Sequence, residues 1–225
     1  MSTPSSVIRL GSFNNILRKL PAAPSSLSVL DVGCGYGNQL AHFGPESVGL
    51  ELGSERLEQC RAKGLTVLKW SFTDPFPEEI SQRRFDAVLL SHIIEHVFSP
   101  HTVLLEARRH LKPGGLLVVH CPVVNPLDRI SKRLADRYGW TVGFHGPLFG
   151  DHVNFFTAKT LRYTCEIAGF ETAYLGTPYL PRPLSRCVRP LLPALWYLGR
   201  KVEPYQYNHE SCKALGDDGR LVWRI

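Results

Sequence analysis

Short runs of apolar and β-branched residues recur along the chain, each bounded by glycine, proline or charge. Such runs read as strands buried on both faces of a parallel sheet. Residues 29–32, 47–52, 65–70, 85–90 and 112–119 make five of them, the last entered through the Pro113-Gly114 turn. Helical spacing lies between: residues 54–63, with an exposed charged face and a stop at Gly64, and residues 100–111. Strand and helix alternating in this way predict a doubly wound α/β sheet with ligand sites at the strand C-termini. Further on, residues 157–168 are predicted to be a helix stopped by Gly169, followed by a sixth strand at 170–175. Residues 220–225, RLVWRI, read as a last strand. At the other end, an amphipathic piece over residues 7–20 is closed by Pro21 and Pro24.

The chain is organised around residues 29–37, VLDVGCGYG. Gly33, Gly35 and Gly37 turn the chain sharply and let its backbone lie against a ligand with no Cβ in the way. A helix over residues 39–43 is expected next, its N-terminus toward the ligand. The spacing is GxGxG rather than the GxGxxG of dinucleotide sites, and Asp31 stands just ahead of the first glycine. A carboxylate there repels a pyrophosphate but suits an amino group or a sulfonium. The second strand ends in Glu51, and an acid at that place can accept hydrogen bonds from both ribose hydroxyls of a nucleoside.

On these residues the chain resembles the class I S-adenosylmethionine (SAM)-dependent methyltransferases. Residues 29–37 match the family's motif I, and FDAVLL at 85–90 is similar to its fourth strand. The resemblance implies a Rossmann-like sheet of seven strands, mostly parallel with the last antiparallel, with SAM as cofactor and S-adenosylhomocysteine as product. It implies that Asp31, Gly33, Cys34 and Gly35 shape the cofactor loop, Cys34 as a small residue without a chemical role. Glu51 and Leu52 would hold the nucleoside, and Ser91 and His92 the methionine side. The family's acid after the third strand is missing, so Ser71 and Phe72 stand in for the adenine contact.

The same resemblance divides the chain. Residues 1–28 either cover the cofactor or pack on the sheet edge, and 29–176 form the SAM-binding core with a lid loop at 122–156. Residues 177–217 are an inserted, helical segment that splits the final hairpin, and 218–225 are the final strand. The insertion is proline-rich, apolar and basic. It reads as a cap on the acceptor pocket, as a peripheral membrane or lipid-linked-substrate contact through 178–201, or as a dimer contact, leaving monomer and homodimer open.

The fourth strand runs into SHIIEHV, residues 91–97. In a helix His92, Glu95 and His96 would share a face, and His152 waits in GDHVNFF within the long loop. Three readings stay open. The residues shape the pocket by hydrogen bonding; or His96 or His152 is the general base for an acceptor hydroxyl; or His92, Glu95, His96 and His152 are candidate ligands of a divalent metal that orients a diol. The last is supported by resemblance to EVIEH-like motifs of ubiquinone-biosynthesis O-methyltransferases and small-RNA 2′-O-methyltransferases, which are associated with metal. His92 replaces their first acid.

Length and charge narrow the picture. The chain has 225 residues, one α/β domain with decoration. No apolar run reaches the roughly 18 residues of a spanning helix, and the start lacks a signal-peptide core. The 6 cysteines show no CxxC pair, which suits reduced thiols and a cytoplasmic or membrane-peripheral protein. Net charge of +6 suits a solvated surface, or an anionic substrate or membrane surface, without the Lys and Arg density of a nucleic-acid binder. The expected function is methyl transfer to a hydroxyl, less readily a nitrogen or carbon, of a small-molecule, sugar or lipid-linked acceptor. RNA methylation and a non-catalytic SAM-binding subunit are the alternatives.

Overall fold

The computed structural model describes residues 13–124, 133, 137, 152–177 and 194–205. Seven strands form one sheet: β1 (Val29–Val32), β2 (Val48–Glu51), β3 (Val67–Lys69), β4 (Phe85–Ser91), β5 (Leu111–Pro122), β6 (Phe170–Gly176) and β7 (Ala194–Lys201), in the order β3-β2-β1-β4-β5-β7-β6. The first five pair in parallel, and β7 runs antiparallel to both β5 and β6. The order reverses between β1 and β4, so ligand sites are expected at the C-terminal ends of those two strands.

Successive residues feed opposite faces of the sheet. Leu30, Val32, Val88, Leu90, Leu117 and Val119 enter one core, beneath α2 (Pro100–Arg109) and α3 (Ala158–Ile167). Val29, Ala87, Leu89, Leu116 and Val118 enter the other, covered by Phe13, Ile16 and Leu17. Burying Phe13 and Ile16 to 1% exposure stabilises the fold by roughly 1.5–3 kcal/mol each. Residues 13–20 therefore pack on a sheet face. Residues 1–12 of the 1–28 segment lie outside the described residues.

The helices start where their chemistry dictates. Ser99 caps α2 by accepting the Thr102 N–H, with Pro100 pre-set in the first turn. Thr157 and Thr160 close a reciprocal capping box on α3. The charged piece after β2 forms α1 (Ser54–Ala62), and Gly64, at φ 76°, follows it.

Two expectations are corrected. No α-helix follows the glycine loop, only a 3-10 turn at Leu40–His42. Gly44-Pro45 arrives too soon for a helix to propagate, since Pro45 lacks an N–H and disfavours a helical residue before it. The seventh strand of the described sheet is Ala194–Lys201, inside the stretch expected to be an inserted helical segment; the strand expected at 218–225 lies outside the described residues. Leu195 and Tyr197 fill one core, Trp196 and Leu198 the other. A short run apolar on both faces is an interior strand, which periodicity alone does not separate from a buried helix. Thus 194–201 is unavailable for the membrane contact expected of 178–201. Residues 178–193 and 206–225 lie outside the described residues.

Candidate active site

The glycine loop leaves β1 and is sewn to β2: the N–H groups of Gly33 and Cys34 both donate to Leu50 O, at 2.8 and 2.9 Å. Gly33 has φ 74°, and a Cβ there would collide with Ile93. At Gly35, φ 56°, the requirement is the backbone angle alone, because a Cβ would meet nothing within 4 Å. Glu51 braces the loop from the end of β2. Its Oε2 accepts the Gly35 N–H at 3.0 Å; its Oε1 accepts the Gly53 N–H at 2.8 Å and the Arg56 guanidinium at 3.3 Å. Three acceptor positions are taken, and a carboxylate offers about four.

Asp31 is the unusual group. It is 1% exposed, and neither carboxylate oxygen has a hydrogen-bond partner among the described residues. Burial, then the Glu51 charge, pushes its carboxyl up to about 7. A buried carboxylate without a donor is costly. It lies in β1 just ahead of the glycine loop, and a cationic ligand group would satisfy it.

Leu52, Ser71 and Phe72 stand past the ends of β2 and β3. Trp70 is core: its indole N–H donates to Asp74 O and its ring meets Phe76 edge-on. A cavity of about 840 Å³ opens beside Phe72, between that loop and α2. Ser91, at the end of β4, receives the Gln39 amide at 3.4 Å, a tie between glycine loop and β4 that sequence reading missed. Cys34 is buried beneath the loop, its thiol held well above the usual range by burial.

After Ser91 the chain makes a turn instead of a helix, so His92, Glu95 and His96 share no helical face. His92 has φ 58°, the only non-glycine residue with positive φ among the described residues. Its N–H donates to His120 O, its Nδ1 lies 3.1 Å from Glu95 Oε1, and its ring meets His120 edge-on. His120 in turn stacks on Trp196 of β7.

Three of the four metal candidates still come together. Ligand atoms of Glu95, His96 and His152 all lie within 4.8 Å of one another. His92 stands outside the group, its Nδ1 against Glu95 Oε1. The device that delivers His152 is the segment 152–156. Val153 and Asn154 both donate N–H groups to Glu95 O at 3.0 Å, and the Asn154 amide reaches Ile94 O and Val97 O. Val124 N–H donates to Phe156 O at 2.7 Å, so both ends of the expected lid loop are stitched together at the site. The loop between, apart from Arg133 and Arg137, lies outside the described residues. Asn154 was missed by sequence reading; the signal was its place between His152 and two phenylalanines.

A family profile described as "Methyltransferase domain" matches residues 10–175. A ubiquinone biosynthesis O-methyltransferase of Roseobacter denitrificans is 33% identical over 122 residues, 51% of this chain and 48% of that protein. The chain spans about half the length of the curated relatives it matches. Among solved structures, a SAM-dependent methyltransferase of Thermotoga maritima, described as a possible histamine N-methyltransferase, aligns with TM-score 0.61 at 20% identity, covering 87% of this chain and 89% of that one. A Haloferax volcanii methyltransferase, solved with the Trm112 activator, aligns with TM-score 0.61 at 18% identity, covering 87% and 91%. At these identities the structural likeness concerns the fold.

Proposed function

This chain belongs to the methyltransferase-domain family, and from that premise we propose that it moves a methyl group from SAM to a hydroxyl of a small-molecule, sugar or lipid-linked acceptor. The observation that carries the reading is Asp31, a buried carboxylate with no partner at the base of a glycine loop. The amino group or sulfonium of SAM supplies the missing positive charge. Glu51 takes a ribose hydroxyl at its remaining acceptor position, and Leu52, Ser71 and Phe72 border the adenine. SAM supplies a methyl group already activated by a cationic sulfur, so the protein's task is alignment and proton removal. Holding the acceptor in line is worth roughly 7–11 kcal/mol, and a positioned base adds about 10²–10⁴-fold.

His96 and His152 face the same small volume as Glu95 and are the candidates to receive the hydroxyl proton. The group also fits a divalent metal: two imidazoles and a buried carboxylate whose Oε2 has no hydrogen-bond partner among the described residues. Such an ion, when bound, would lower the pKa of an acceptor hydroxyl. The curated relatives, named as O-methyltransferases, support oxygen as the methylated atom.

Calorimetry with S-adenosylhomocysteine and transfer of labelled methyl from SAM to a catechol probe test the reading. Binding that is lost in Asp31→Ala is expected. A wild-type protein that ignores S-adenosylhomocysteine would refute it. Elemental analysis of protein purified without chelator decides between a metal and an imidazole base: near-stoichiometric ion supports the former, and activity indifferent to chelators the latter.

A further inference from the structure

Parallel strands are joined by crossovers that ordinarily carry a helix. The β3–β4 crossover, residues 70–84, holds a three-residue 3-10 turn, Glu78–Ile80, in place of one. Pro75 and Pro77 stand where a helix would propagate, each lacking an N–H and each restricting the residue before it. The crossover covers the sheet as a loop, and between it and α2 lies the cleft of about 840 Å³. Small-molecule sites have volumes of about 300–1,000 Å³. Asp31, Glu51, Ser91, Glu95, His96 and His152 take no part in the walls of this cleft, so it is separate from the transfer site. Its walls are rings. Trp70 meets Phe76 edge-on at 5.2 Å, and Phe76 stacks on His110 at 5.4 Å. Phe72 meets Phe98 edge-on at 6.1 Å, and Phe98 is 76% exposed. An apolar body entering the cleft would take these exposed rings out of water.

The charges around the cleft are mostly engaged. Glu106 pairs with Arg109. Asp74 accepts the Thr73 hydroxyl at 3.3 Å. Burial pushes the His110 imidazole down, which leaves it an uncharged ring near neutral pH. Arg84 remains. Its guanidinium donates to Ser81 O at 3.1 Å and Arg83 O at 2.9 Å, both neutral carbonyls, and it forms no ion pair with any acid among the described residues, Asp74 and Glu106 included. On its other side Asp86 is held by Lys112 at 2.7 Å and Glu46 by Arg83 at 3.5 Å. A planar guanidinium with N–H groups to spare is a ready partner for a carboxylate or sulfonate.

We propose that the cleft between the β3–β4 crossover and α2 is a second ligand site, for an aromatic acid whose rings lie among Phe72, Phe76 and Phe98 and whose carboxylate or sulfonate meets Arg84. The site stands independently of the methyl-transfer reading, because its walls run along α2 from Phe98 toward His110 and away from the glycine loop. Its occupant would press on residues 97–99, directly after His96, where Val97 O takes the Asn154 amide.

The test is fluorescence titration of the full chain with anilinonaphthalene sulfonate, an aromatic anion that brightens in apolar surroundings, and with phenylnaphthylamine, the same rings without the anion. Wild-type protein should bind the sulfonate at a single site and at least about tenfold more tightly than the neutral amine. Arg84→Gln should erase that preference while still binding the amine, and Thr102→Trp, which fills the cleft from α2, should lose both. Thermal melts within about 3 °C of the wild type certify the fold of each variant. A wild type that binds neither probe, or both equally, overturns the proposal, as does either folded variant with wild-type affinities. Displacement of the sulfonate by saturating S-adenosylhomocysteine would put the probe in the transfer site and also overturn it.

Discussion

Asp31→Asn isolates the energetics of the site in a protein without ligand. In the unfolded chain the carboxyl titrates at 3.8, and in the fold at about 7. Below pH 3.8 both states are protonated and the group has no effect. Between 3.8 and 7 the unfolded chain releases the proton while the fold retains it, so stability falls as pH rises. The loss grows from about 2 kcal/mol at pH 5 to about 4 kcal/mol at pH 8, an increase of roughly 2–3 kcal/mol. Asparagine keeps the shape and removes the titration. Its amide is also unpaired, but that cost is the same at both pH values. The quantity to follow is therefore the change in the variant-minus-wild-type difference, read from urea unfolding at pH 5 and pH 8. The variant should gain roughly 2–3 kcal/mol on the wild type between them, or about 5–10 °C in melting temperature for a domain of this size. Saturating S-adenosylhomocysteine should shrink the wild-type pH dependence, because its amino group gives the carboxylate a counter-charge. A variant-minus-wild-type difference constant to within about 0.5 kcal/mol across that range would refute the reasoning, since a burial penalty of this size must appear in the linkage.

Glu51→Gln removes the charge from a carboxylate that braces Gly35 and Gly53; charge-assisted hydrogen bonds are worth about 1.5–3 kcal/mol, so S-adenosylhomocysteine should bind at least about tenfold more weakly by calorimetry, and unchanged affinity would remove Glu51 from the site. Gly33→Ala forces a Cβ into Ile93 at φ 74°; a loss of about 2 kcal/mol or more is expected on thermal melting, and an unaltered melt would contradict the crowding. Asn154→Ala cuts the clamp to Ile94 O and Val97 O; methyl transfer should fall by about 10²-fold, as for a misplacement of about 1 Å, while S-adenosylhomocysteine affinity stays within about twofold. Equal losses in both would mean that the clamp supports the whole edge rather than His152.

What the chain alone determined is whatever rests on local pattern. Buried parallel strands announce themselves as apolar runs, so β1, β2, β4 and β6 were legible to within a residue or two. Two helices were legible as helical runs at 100–111 and 157–168, the second with its stop at Gly169; their caps at Ser99 and Thr157 came from the structure. The glycine loop and Glu51 were legible because their spacing is imposed by a covalently continuous strand–turn–strand unit. The tertiary structure decided what depends on remote partners. The run ALWYLGRK becomes β7 only because β5 and β6 offer antiparallel edges for it to pair with; in sequence it is one apolar stretch among prolines. The Glu95–His96–His152 group arises from a clamp between segments nearly sixty residues apart, in place of the helical face that i, i+3, i+4 spacing suggested. Asp31 was readable as an acid ahead of a glycine turn, but its isolation was not. Burial and the absence of a donor depend on everything packed around a carboxylate, and that is settled only when the sheet closes over it.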